Sequence, residues 1–157
     1  MKQRALTGIG CLESLRILRI FECENLEFLL QGTQSLTALR SLQIGSCRSL
    51  ETLAPSMKQL PLLEHLVIID CERLNSLDGN GEDHVPRLGN LRFLFLGNLP
   101  KLEALPEWMR NLTSLDRLVI EECPQLTERC KKTTGEDWHK ISHVSEIYID
   151  GVKTPEN

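Results

Sequence analysis

The chain has 157 residues, 41% of them hydrophobic but only 4% aromatic, so a single domain with an aliphatic core is expected. Its 18 basic and 22 acidic residues are mixed along the chain and give a net charge of −4. This argues against non-specific nucleic-acid binding, which needs a concentrated basic surface. No apolar run approaches the roughly 20 residues of a membrane span, and Glu13 makes the N-terminal stretch a poor secretory signal. We therefore expect a cytoplasmic protein without a membrane span.

One spacing of leucines recurs along the chain. In residues 39–53 it reads Leu-x-x-Leu-x-Ile-x-x-Cys-x-x-Leu-x-x-Leu, and another leucine stands three residues earlier, at Leu36. Three of the five steps between copies are 24 residues long, and the others are 28 and 29. Five copies in register and a partial sixth define a leucine-rich repeat. The copies begin at Leu15, Leu39, Leu63, Leu91, Leu115 and, for the partial one, Val144.

This repeat predicts an α/β fold, a solenoid in which successive turns stack as a right-handed superhelix. The period of two in Leu-x-Ile indicates a short strand with one buried face. One copy cannot bury its own leucines, so the copies stack and their strands form a short parallel β-sheet on the concave face. The convex segments are expected to be irregular or to form short helical turns, which Pro55 and Pro106 would begin. Residues 78–87, polar and rich in glycine, are predicted to form a longer convex loop.

The pattern predicts one leucine-rich repeat domain over residues 1–157. Residues 1–11 look like the remnant of a preceding repeat, residues 12–126 hold five repeats, and residues 127–157 hold a C-terminal cap with the partial last repeat. We expect the chain to be the C-terminal piece of a longer solenoid that is marginally stable or self-associating alone.

The repeat spacing fails after Leu126, where a cap is predicted. Thr127 is predicted to cap a short helix and Gly135 to end one. Trp138 is then expected to cover the last layer of leucines, as a terminal cap must.

Four cysteines occupy the same place in the repeat, just after the strand. A small buried side chain fits there, and its weak S–H donor can meet a backbone carbonyl. The fourth copy has a leucine at this place. A leucine can replace a cysteine that only packs in the core, but not one that reacts or binds a metal. Adjacent cysteines lie within reach of a disulfide, but three in a row cannot all pair. We therefore predict a structural role for these residues, which are Cys23, Cys47, Cys71 and Cys123, with Leu99 as the exception.

Other residues give weak signals of chemistry. Cys123, Cys130, His139 and His143 form C-x6-C-x8-H-x3-H, whose spacing does not suit a zinc finger. His65 stands alone on a strand, and the sequence contains no phosphate-binding P-loop motif. We expect no catalytic, cofactor-binding or metal-ligating residue and no cofactor, and we predict that the chain is not an enzyme.

The strand residues between the buried leucines point outward on the concave face. Several are large and apolar in neighbouring copies, which suggests a protein-contact patch, because aromatic anchors dominate interface energetics. An acidic rim of Asp70, Glu121, Glu122 and Asp150 would suit a partner with basic groups. The alternative is that these side chains pack on one another or on another domain. The predicted protein-binding residues are His65, Val67, Ile69, Phe93, Phe95, Arg117, Val119, Glu121 and Tyr148.

The run over residues 105–151, with the phrases "CPQLTERC" and "GEDWHKISHVSEIYIDG", closely resembles the C-terminal end of plant intracellular immune receptors. These are the nucleotide-binding leucine-rich repeat disease resistance proteins, particularly the coiled-coil class, and the looser repeats of residues 10–105 look like the same family. The resemblance implies recognition of a pathogen effector or a guarded host protein, or restraint of the nucleotide-binding domain that precedes the repeats in that family.

An interaction adaptor of another class, such as the substrate-binding repeats of a ubiquitin ligase, is the alternative to an immune receptor. An F-box-like segment upstream of the repeats would favour the adaptor, and a P-loop upstream would favour the receptor.

Overall fold

The computed structural model describes residues 5–6, 12–30, 36–53, 60–77 and 88–155. Its main feature is a seven-stranded sheet. The strands are β2 (Ile17–Phe21), β4 (Ser41–Gly45), β5 (His65–Ile69), β6 (Phe93–Gly97), β7 (Arg117–Glu121), β8 (Glu146–Ile149) and β9 (Val152–Lys153). They lie side by side in this order. The first six run parallel, and the last pairs antiparallel with β8. The predicted parallel-stranded solenoid is confirmed.

Each strand pairs with the next one at the same position in the repeat. Leu42 lies opposite Leu18 on one side and Leu66 on the other, and this register holds through β8. Because side chains alternate along a strand, the Leu-x-Ile pairs face inward, where Leu42, Ile44 and their equivalents in β5, β6 and β7 are buried. The remaining strand residues lie on the other side of the sheet, which was predicted above to be the concave face and is here called the outer face.

The first turn is less well covered than those that follow. Leu15 and Leu18 are only partly buried, whereas their equivalents in later copies are buried. Strand β2 forms an edge of the sheet in the described part of the chain, and Ile17 and Phe21 on it are about half exposed. A solenoid turn gains its core from both neighbours, so a turn at an edge buries less.

A left-handed backbone residue follows each of the six parallel strands of the main sheet. These residues have φ near +50°. In the first four, the N–H group donates to the last carbonyl of the next strand, as Asp70 does to Gly97 at 3.1 Å. The turn directs the next side chain, such as Cys71 after Asp70, back into the core. Aspartate and asparagine tolerate this conformation better than most residues. The residues are Glu22, Ser46, Asp70, Asn98, Glu122 and Asp150.

The cysteine position is the first core position after this turn. Cys47, Cys71 and Cys123 are fully buried, and each Sγ lies 3.3–3.4 Å from the carbonyl oxygen two residues earlier, to which the S–H donates. All five cysteines in the described part of the chain are free thiols. Leu99 occupies the same buried position, so packing sets the requirement at this place. The predicted contact with a backbone carbonyl is confirmed.

Burial also makes these thiols unreactive, because it disfavours the charged thiolate, which is the form that acts as a nucleophile. It raises the pKa of Cys71 to about 11 and that of Cys130 to about 12. At pH 8 we expect iodoacetamide to modify the half-buried Cys23 well before these two, as measured by mass spectrometry of the intact fold. In denaturing urea all three should react at similar rates. Early modification of Cys130 in the folded protein would contradict the conclusion that this thiol is buried and unreactive.

The convex side carries short elements. Strand β1 (Ala5–Leu6) pairs parallel with β3 (Phe28–Leu30), and a 3₁₀ helix spans Glu107–Asn111 directly after Pro106. The prediction of a short helical turn after Pro106 is confirmed. Pro55 and the loop predicted over residues 78–87 lie outside the described residues.

The C-terminal cap differs from its prediction in two respects. Helix α1 (Pro124–Arg129) has Cys123 as its N-cap, so Thr127 lies inside the helix and does not cap it. The Thr127 hydroxyl instead donates to Asp150 Oδ2 at 3.1 Å. Gly135 lies beyond the end of α1, where a side chain would collide with the Arg129 carbonyl. Helix α2 (Trp138–Ile141) follows, and Trp138 packs partly buried against the core.

A buried charge cluster holds the cap to the repeats. Asp137 is 0% exposed and accepts hydrogen bonds from the Leu105 N–H at 2.9 Å, from two Arg129 nitrogens at 3.0 Å each and from Lys140 Nζ at 2.9 Å. Lys140, 6% exposed, also donates to the Leu105 carbonyl at 2.7 Å and lies 3.3 Å from Glu107. The cluster therefore ties residues 129–140 to the chain just before the 3₁₀ helix.

Candidate protein-binding face of the sheet

The outer face carries all nine residues predicted to bind a protein, arranged in three rows that cross the strands. The first row contains His65, Phe93 and Arg117, which lie opposite one another in register. The third row contains Ile69 and Glu121, separated by Gly97. The second row is taken over β5 to β8, where it is apolar and its side chains are all half-buried; across β4 and β2 the same position holds Gln43 and Arg19. The row consists of Val67, Phe95, Val119 and Tyr148.

Two glycines leave gaps in the third row that phenylalanine rings fill. A Cβ added to Gly97 would lie 2.7 Å from the Phe95 ring, and one added to Gly45 would collide with the Phe21 ring. Ile69 lies in register between these two glycines. The rings therefore lean over the third row and join Ile69 into one apolar surface with the second row.

Phe21 belongs to this surface although it is not among the predicted protein-binding residues. It is 45% exposed, and its ring lies beside Gly45, next to Ile69. The signal in the sequence was the glycine one repeat later, which leaves room for a ring from the preceding strand.

Charges in the first row are partly neutralised. Arg117 Nε lies 2.5 Å from Glu146 Oε2 on the next strand, and this hydrogen bond raises the pKa of Arg117. The His65 and Phe93 rings lie 6.3 Å apart and are tilted by 45°, a contact between neighbours within the row. Arg117 therefore presents an ion pair, and not a free charge, to a partner.

An acidic border follows the third row, where the strands end. Asp70 accepts from the Asn98 side-chain amide at 2.8 Å, and Asp150 accepts from the Glu122 N–H at 2.9 Å as well as from Thr127. These donors are neutral, so the negative charge of the border remains uncompensated by them. The Asp150 carboxylate also takes the place of a strand carbonyl for Glu122, which gives it a structural role in closing the sheet.

The candidate metal ligands are held apart in separate contacts. Cys123 and Cys130 are buried, His139 Nε2 lies 3.4 Å from Glu107, and His143 Nε2 lies 3.0 Å from the Leu112 carbonyl. Within the described ranges, no group of three or more histidine, cysteine or acidic side chains is arranged to hold a metal ion. No helix in these ranges is long and apolar enough to cross a membrane.

The fold and its repeat register define a leucine-rich repeat protein. No family model matches the chain. Partial matches are found to two Solanum bulbocastanum proteins named for disease resistance: RGA4 is 40% identical over 48 residues, and RGA2 is 62% identical over 26 residues. These matches cover 31% and 17% of the chain and only 5% and 3% of the two relatives. Together with the solenoid, they fit a leucine-rich repeat region of a plant disease resistance protein.

Proposed function

We propose that the chain is a non-catalytic, cytoplasmic recognition module of a plant immune receptor, which binds a pathogen effector or a guarded host protein through the outer face. The observation that supports this is the apolar second row, continuous over four strands and joined to Ile69 by the Phe95 ring. Recurrent large apolar side chains on a surface are typical of protein contacts. The names of the two relatives support the role in disease resistance.

The same surface suits a second role in the same receptor. A face that binds a partner reversibly can also contact the receptor's own nucleotide-binding domain at rest and release it on activation. The two roles predict opposite effects of damage to the face, so a single pair of substitutions separates them.

The test is Phe95→Glu combined with Tyr148→Glu in the full-length receptor, scored as cell death with and without the matching pathogen. Charge placed on the apolar row should abolish binding because a buried, unpaired carboxylate is costly. Loss of the triggered response alone would assign recognition, and death without the pathogen would assign restraint.

Leu62→Glu is the matched control, because Leu62 is an exposed leucine in a turn, away from the outer face. Accumulation of the protein and its circular dichroism spectrum must match the unsubstituted receptor. A folded double variant that responds normally would exclude the outer face from both roles.

A further inference from the structure

The apolar second row has a spacing that restricts what can cover it. Its side chains stand one per strand on four adjacent strands, from Val67 to Tyr148. Neighbouring strands lie about 4.8 Å apart, so the row offers one apolar contact every 4.8 Å over about 14 Å. A partner must present apolar side chains in a line at close to this interval.

An α-helix matches this interval better than an extended chain. A helix brings a side chain to the same face about every 5.4 Å, once per turn. An extended strand does so about every 6.7 Å, at every second residue. Over three intervals the helix overshoots the row by about 2 Å and the strand by about 6 Å, so only the helix places a side chain near each of the four strands.

The borders of the row differ in charge. On one side lie the carboxylates of Asp70, Glu121 and Glu122, all at the ends of the strands. On the other side, Arg117 is paired with Glu146, and its neighbours Phe93 and His65 are in ring contact. A helix lying along the row therefore meets negative charge along one flank and little net charge along the other.

We propose that the outer face binds a short amphipathic helix, about ten residues long, with an apolar stripe and lysine or arginine residues along one flank. This rests on the proposed function, since it names the kind of partner segment that the recognition face takes. The apolar stripe lies on the row from Val67 to Tyr148, and the basic flank faces the acidic border. Residues on the opposite flank are free to be polar and uncharged.

Designed fluorescent peptides of about 14 residues test this with the full 157-residue chain. The first carries one leucine per turn with lysines along one flank, the second replaces these lysines with glutamates, and the third keeps the lysines but has a central proline that breaks the helix. Binding is measured by anisotropy at physiological salt. We expect the lysine helix to bind roughly tenfold more tightly than the glutamate helix, and the broken peptide to lose most of its affinity.

The variant Asp70→Asn with Glu121→Gln is the specific control, because it removes two charges and asparagine tolerates the left-handed backbone at position 70. It should bring the lysine and glutamate helices to within about threefold of each other. Equal binding of these two helices to the unsubstituted chain would overturn the proposal. So would equal binding of the broken peptide, or no binding by any peptide. The cell-death test on Phe95 and Tyr148 assumes nothing about the partner's shape, so it would still decide the proposed function.

Discussion

Replacing Asp137 with alanine is expected to lower the free energy of unfolding by about 3 kcal/mol, because Arg129 and Lys140 lose their buried counter-charge. The substitution would leave the buried Lys140 and the Arg129 guanidinium facing an empty site and would take the acceptor from the Leu105 N–H. Urea denaturation monitored by circular dichroism measures the change. Because the cluster holds the cap, the loss should expose the last leucine layer.

Asp116→Ala is the matched control for Asp137→Ala. Asp116 is exposed and lies 3.9 Å from Arg92, so its loss should change the free energy of unfolding by less than about 0.5 kcal/mol. A similarly small change in the free energy of unfolding for Asp137→Ala would mean that the buried charge cluster does not stabilise the cap.

A low pH should reduce the contribution of Asp137 to the free energy of unfolding. Burial by itself raises the pKa of this carboxyl, but hydrogen bonds from Arg129 and Lys140 outweigh it and hold the pKa below its ordinary value. A carboxyl whose pKa is lowered in the folded state stabilises the fold fully above its ordinary pKa of about 4, and less as the pH falls through the folded-state value. The difference in unfolding free energy between the unsubstituted chain and Asp137→Ala should therefore be constant above pH 5 and shrink below pH 4.

Leu118→Ala is expected to cost about 2–5 kcal/mol of stability, because it leaves a cavity in the core of a central strand. Leu118 is fully buried and lies in register between Leu94 and Ile147. Packing on both sides fixes its neighbours, so the cavity cannot collapse without moving two strands. Thermal or urea unfolding measures the loss.

Val119 is the natural comparison, since it is the next residue on the same strand but points to the outer face. Val119→Ala should cost less than about 1 kcal/mol, because its side chain is only half-buried. Equal costs at Leu118 and Val119 would mean that the two faces of the sheet are wrongly assigned.

The sheet could be predicted residue by residue because the leucine spacing constrains both the strand and its register. Once Leu42 and Leu66 occupy the same place in two copies, only one alignment of the strands buries both. The row from Val67 to Tyr148 then follows without further information, because outward residues alternate with the buried ones.

The cap could not be predicted in the same way, because its contacts join residues far apart in the sequence and no repeat fixes them. Thr127 looked like a helix cap from its neighbours, yet its hydroxyl bonds to Asp150, 23 positions away. Asp137 would be expected at the surface, as charged residues usually are. Asp137 can be buried because Arg129 and Lys140 both contact its carboxylate, and local propensity does not predict these contacts.

The two ends of the sheet are covered unequally, so unfolding is expected to begin at the less covered end. At one end, β9 pairs with the edge of β8 and the Asp137 cluster fastens the cap. At the other, β2 leaves Ile17 and Phe21 about half exposed and, among the described strands, pairs with β4 alone. In a solenoid whose turns contact only their neighbours, opening begins where a turn has one neighbour and advances turn by turn. Among the described strands of the 157-residue chain, protection of backbone amides against exchange with solvent is therefore expected to rise from β2 toward β7.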